Sequence, residues 1–160
     1  SNLAGRDRGV AKPQPTFSTL FGEPFMPMDA SVYAKMLGDK REKYGTRVYL
    51  VNTGWAGGSA ASGAKRMKLA YTRAMVTAAL TGAFDNVEFK HHDIFNVDYP
   101  TSCPNVPDEQ LDARGLWADK KAYDEQANKL AQMFADNFAS KYPNMPSDIV
   151  NAGPKPVAVV

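Results

Sequence analysis

Very little in this 160-residue chain belongs to the covalent or membrane chemistries. It has one cysteine, Cys103. A single thiol closes no internal disulfide and builds no multi-cysteine zinc site, which points to a reducing, cytoplasmic setting. No run approaches the ~20 apolar residues that a membrane span needs, and Ser1 to Gly9 carry no apolar signal region. There are only two histidines. Neither charge sign dominates: 19 basic residues face 17 acidic ones, a formal net charge of +2. That balance gives no strong steering toward nucleic acid or an anionic membrane, and no basic stripe is interleaved with aromatics. Disorder is disfavoured as well, because 44% of the chain is hydrophobic and 11% aromatic. What remains is one domain's worth of sequence, long enough to bury a core.

Helix signals are the clearest positive feature. Asp29 is a candidate N-cap for a helix over 30–44, with Val32, Tyr33, Met36 and Leu37 at helical spacing and Gly45 as its stop. A second helix is expected over about 71–80, with Met75, Val76, Ala79 and Leu80 on its apolar face and Gly82 after it. Asp119 caps a third over 120–141, where Tyr123, Ala127, Leu130, Phe134 and Phe138 keep the 3.6-residue period as core positions. Residues 48–51, VYLV, read as a short buried strand. Weaker strand signals lie at 87–89 and 94–97. Residues 1–28 read as an extended Gly- and Pro-rich segment packed on a core. Residues 98–117 and 143–160, spaced by prolines, are expected to be irregular. The fold class is α/β: a small mixed sheet flanked by about three helices in a single domain over 1–160.

The informative stretch follows the 48–51 run. Strand, glycine-rich loop, then helix is an arrangement that offers backbone N–H groups and a helix start to an anion. Residues 58–66, GSAASGAKR, approach a phosphate-binding P-loop but fail it. Ala64 separates the second glycine from Lys65, and Arg66 stands where a Ser or Thr would hold Mg²⁺. Two readings remain: a flexible surface loop, or a base or phosphate lid using Lys65 and Arg66. His91, His92 and Asp93 suggest a metal only superficially, since neighbours on a strand point to opposite faces. Cys103 has no motif-placed histidine partner and reads as inert.

Val51 to Trp55, Lys65 to Met67 and Tyr71 to Met75 together resemble the C-terminal adenine-binding segment of the phosphoenolpyruvate carboxykinase (ATP) family. The resemblance extends upstream through Leu3 to Gly5, Pro15 to Ser18, Phe21-Gly22 and Pro24-Phe25. Downstream it includes Phe95-Asn96, Pro100-Thr101, Pro104 to Val106, 127–138 and Asn151 to Pro154. It implies that the chain is the C-terminal part of that family's catalytic domain. It further implies that Arg66, the backbone of Met67 and the hydroxyl of Thr72 contact the adenine of ATP. Without the resemblance, the same residues read as a solvated loop Arg, a core Met and a helix-start Thr. Two departures stand out: Ala64 where a more glycine-rich approach is expected, and Arg6-Asp7 where the family has Thr-Glu. The family's P-loop and its Lys, His and Asp metal ligands have no counterpart in these 160 residues. The resemblance therefore implies a piece that is inactive alone, partnered by ATP and the remainder of the parent enzyme, with Mg²⁺ and Mn²⁺ bound outside this chain. The alternative is a free-standing, non-enzymatic domain that binds nucleotide or protein.

Overall fold

The computed structural model describes residues 17, 25–59 and 62–158. Over these described residues it is mixed α/β, with four α-helices and two small antiparallel sheets. Two compact units meet in sequence at Leu50 and Val51. Most of the Gly- and Pro-rich segment 1–28, with the upstream family-like motifs, lies outside the described residues.

The first unit is built on α1, Ala30–Tyr44. Asp29 caps it: one carboxylate oxygen accepts from the backbone N–H of Ser31 at 2.8 Å and from its hydroxyl at 2.5 Å. These two bonds, the hydroxyl's first, hold the Asp29 carboxyl below the usual carboxylate range. Gly45 ends the helix at φ 62°, a conformation that a Cβ would strain. A Lys35–Asp39 pair one turn apart bridges the exposed face at 2.8 Å. No residue of α1 is buried, and Val32, Met36 and Leu37 are exposed.

Among the described residues, the strand expected at 48–51 does not form. Val48, Leu50 and Val51 are exposed, Leu50 at 82%, and the segment has no ladder partner among the described residues. Apolar content alone does not make a strand; its N–H and C=O groups need a neighbour.

The second unit begins with a short hairpin, β1 (Trp55–Ala56) and β2 (Lys65–Arg66). Trp55 lies opposite Arg66, and Ala56 opposite Lys65. The helix α2 (Leu69–Thr81) follows, somewhat longer than its periodicity predicts. Gly82 closes it at φ 74°, its N–H bonded to the Ala78 carbonyl. β3 (Phe89–His92) and β4 (Val97–Pro100) pair in a second hairpin, from Phe89 against Pro100 to His92 against Val97. The two weak strand signals were thus offset by two or three residues, because the turn falls inside the second one, with Asn96 at φ 52°.

α3 (Lys120–Lys141) has the bounds its pattern predicts, with Asp119 accepting from Ala122 N–H at 3.1 Å. Its buried residues Tyr123, Ala127 and Ala131 pack with Ile94, and Phe95 and Trp117 cover the cluster. Ala131 is at 0% exposure, so α3 sits close to its neighbours there. The tail expected to be irregular contains a short α4 (Ser147–Ala152), with Pro146 just before its first turn. It is tied down by three hydrogen bonds. Lys155 N–H donates to Ile94 C=O at 2.8 Å, Asn96 Nδ2 to Ala152 C=O at 2.8 Å, and Val157 N–H to Asn128 Oδ1 at 2.7 Å.

Candidate functional site

The three residues singled out by sequence all lie along the junction of the first hairpin and α2. Arg66 ends β2, Met67 follows it, and Thr72 lies in the first turn of α2. The register of the hairpin decides where Arg66 points. Because Trp55 is its cross-strand partner, the Arg66 guanidinium lies over the indole, 5.1 Å from the ring centroid. Both residues remain exposed, Trp55 at 43%. The Met67 N–H donates to Gly54 C=O at 2.7 Å, which extends the hairpin by one bond and ties the entry to α2 back onto β1.

The start of α2 is electropositive. No acidic residue occupies its first turn, and Lys68 at the N-cap makes no side-chain cap bond. The Thr72 N–H bonds the Lys68 carbonyl at 3.3 Å. Its half-buried side chain has no hydrogen-bond partner among the described residues, unlike Thr81, whose hydroxyl donates to Thr77 C=O at 2.9 Å. Chemically, the junction offers a planar cation backed by an aromatic ring, a hydroxyl with open hydrogen-bonding capacity, and a helix start. A flat heteroaromatic ring with polar edges can use each of them.

The hairpin is seated on the turn at 112–117. Gly57 has φ 77°, and a Cβ there would stand 2.8 Å from the Leu116 carbonyl oxygen, so only glycine fits this approach. That turn is itself braced. Asp112 accepts from Gly115 N–H at 2.9 Å, and Lys120 Nζ donates to the carbonyls of Gly115 and Trp117. Arg114 forks onto Asp124 of α3 at 2.8 and 2.9 Å. This fork holds the Asp124 carboxyl below its ordinary range.

Beyond that turn lies a polar contact that sequence reasoning missed. Trp117 stands edge-on to Tyr123, with centroids 5.6 Å apart. The Tyr123 oxygen is 2.8 Å from His92 Nε2. Phe95 N–H points at His92 Nδ1 from 3.4 Å, which leaves the ring proton on Nε2, so that His92 donates and Tyr123 accepts. Burial depresses the His92 pKa and raises that of Tyr123. His91, its strand neighbour, faces elsewhere and pairs with Asp98 at 2.8 Å. The His91–His92 pair is therefore split as the strand rule requires, while Asp93 lies in the following turn. Cys103 is buried, and burial pushes its thiol up.

The comparisons with known proteins name the family. Residues 1–109 match the model of phosphoenolpyruvate carboxykinase. Proteins named phosphoenolpyruvate carboxykinase (ATP) from Fusobacterium nucleatum and Caldanaerobacter subterraneus are 59% and 56% identical to the chain over 155 residues. One from Brevibacillus brevis is also 56% identical over 155 residues. Each alignment covers 97% of this chain and 29% of the relative. The chain belongs to the phosphoenolpyruvate carboxykinase family, and it spans under a third of the length of these relatives.

Proposed function

We propose that this chain forms the adenine side of the ATP site of an ATP-dependent phosphoenolpyruvate carboxykinase. The whole enzyme would convert oxaloacetate and ATP to phosphoenolpyruvate, CO₂ and ADP in the cytoplasm, as a step of gluconeogenesis. The observation that supports the reading is the junction of β2 and α2, where Arg66 ends the strand, Met67 follows it and Thr72 lies in the first turn of the helix. Arg66 supplies a guanidinium plane for the base. Thr72 supplies a hydroxyl for its edge. The Met67 N–H is already committed to Gly54, so a backbone contact from Met67 falls to its carbonyl. In the whole enzyme, Mg²⁺ and Mn²⁺ would be held by other parts. Among the described residues, no three His, Cys, Asp or Glu gather into a donor set, and no step is assigned to a metal within this chain.

Lacking a complete P-loop motif, the 160-residue chain alone holds the base and not the phosphates, and it does not turn over oxaloacetate. The test is an NMR titration of the chain with ATP, adenosine and tripolyphosphate, alongside a carboxykinase assay. ATP should bind near the millimolar range, roughly −4 kcal/mol, with adenosine competing and tripolyphosphate not. Arg66→Ala should weaken ATP by ~1–2 kcal/mol and Thr72→Val by ~0.5–1.5 kcal/mol. Tripolyphosphate binding as well as ATP, with adenosine failing to compete, would refute the adenine assignment. Measurable turnover would refute the assigned inactivity.

A further inference from the structure

Trp55 lies in the loop region that sequence reasoning left without a role, yet it is the residue against which Arg66 rests. An arginine on a two-residue strand has four side-chain torsions and, when exposed, adopts many rotamers. A base that stacks on its guanidinium must first fix that plane. The indole face does this before any ligand arrives, by attraction of the cation to the ring. The backbone supports the geometry from both sides. The antiparallel register places Trp55 directly opposite Arg66. The Met67 N–H bond to Gly54 C=O at 2.7 Å closes the hairpin just beyond that pair. Gly57, one residue past β1, seats the hairpin on the Leu116 carbonyl, so the indole is carried by a braced turn. The guanidinium carbon stands over the indole at 5.1 Å, and the exposed side turned away from the indole is the one left to a ligand.

We propose that Trp55 is a positioning residue for nucleotide binding: it holds the Arg66 guanidinium flat so that the free face can stack on adenine. This rests on the adenine reading of Arg66 given above. The expected consequence is selective. Removing the ring releases Arg66 and weakens ligands that carry the base, while ligands that are only phosphate are unaffected. Because Trp55 is 43% exposed, the substitution leaves the unit folded.

The test uses the 160-residue chain, whose two tryptophans give two indole N–H signals in a ¹⁵N–¹H spectrum, assigned by Trp117→Phe. Adenosine and ATP should shift the Trp55 signal and leave the Trp117 signal in place. Trp55→Leu should raise the dissociation constant for ATP about two- to fivefold, the range of an exposed cation–π contact. Tripolyphosphate should respond to neither variant, and Trp55→Phe, which keeps an aromatic face, should recover most of the loss. If Arg66→Ala weakens ATP while Trp55→Leu does not, the positioning role is wrong and the adenine reading stands. If Trp55→Leu weakens ATP and Trp55→Phe weakens it equally, no aromatic face is involved and the inference fails. If adenosine moves no signal from the hairpin or α2, the adenine reading falls and takes this inference with it.

Discussion

Tyr123→Phe deletes one oxygen and leaves the ring in place against Trp117 and His92. The lost bond is the 2.8 Å contact from His92 Nε2–H to the Tyr123 oxygen, which joins β3 to α3 across 31 residues. An ordinary intramolecular hydrogen bond contributes about 0.5–1.5 kcal/mol net, and a stranded buried donor costs about 1–3 kcal/mol. His92 is half-buried, so water replaces part of the partner. The expected loss is therefore about 1–2 kcal/mol. The unit from Val51 to Val160 should unfold with an entropy near 0.23 kcal/mol/K, which converts this loss to a fall of about 4–9 °C in Tm. Circular-dichroism melts at pH 8, where His92 is neutral, read it directly. A second pair of melts in the His92→Phe background isolates the bond, since Tyr123→Phe should there cost less than half as much. Equal losses in the two backgrounds would show that the hydroxyl acts through something other than His92, and the tautomer assignment would fall with it.

Acid should weaken the same region. Burial lowers the His92 pKa in the folded state below its ordinary 6.5, so the unfolded chain takes up this proton first as pH drops. Its contribution is complete above pH 6.5 and declines as pH falls toward the folded value; a melting temperature that rises from pH 7 to pH 5.5 would contradict this. Asp93 and Asp112 near the ring oppose the shift, and His91 adds to it. Gly57→Ala should be among the costlier single changes, about 1–3 kcal/mol, because its φ of 77° is strained for alanine and its methyl would meet the Leu116 oxygen at 2.8 Å. Urea unfolding gives the number, and a loss below about 0.5 kcal/mol would mean that the hairpin does not rest on that turn.

Local signals made the helices legible. Asp29 and Asp119 open α1 and α3, and Gly45 closes α1, because a capping carboxylate and a left-handed glycine act within one turn of the helix end they set. The run at 48–51 failed for the opposite reason. Its apolar side chains are local, but a strand depends on a partner that sequence reading cannot supply. The first hairpin was invisible as well. Two-residue strands carry no period, and the loop between them reads only as Gly, Ala and Ser. Hence Arg66, Met67 and Thr72 were found through their resemblance to a family, while Trp55 needed the register. Tyr123 was read as core from its position on α3, correctly, but its hydroxyl partner lies in a different element. The prolines near 143–146 were read as breakers throughout; a proline at a helix start removes no needed donor, and α4 begins immediately after Pro146.

The three bonds that tie residues 152–157 back onto the second hairpin and α3 impose an order on folding. The turn at 93–96 forms early by local pairing, since its strands are four residues long and adjacent. Its Ile94 carbonyl and Asn96 amide, however, wait for partners some 60 residues later, with Asn96 and Ala152 separated by 56. Closing so long a loop costs entropy that no local contact offsets beforehand. On a ribosome adding about 5–20 residues per second, the hairpin and α2 emerge seconds before the segment that completes their unit. During that interval the apolar sides of Ile94 and Phe95 are covered only as far as the nascent α3 has reached them.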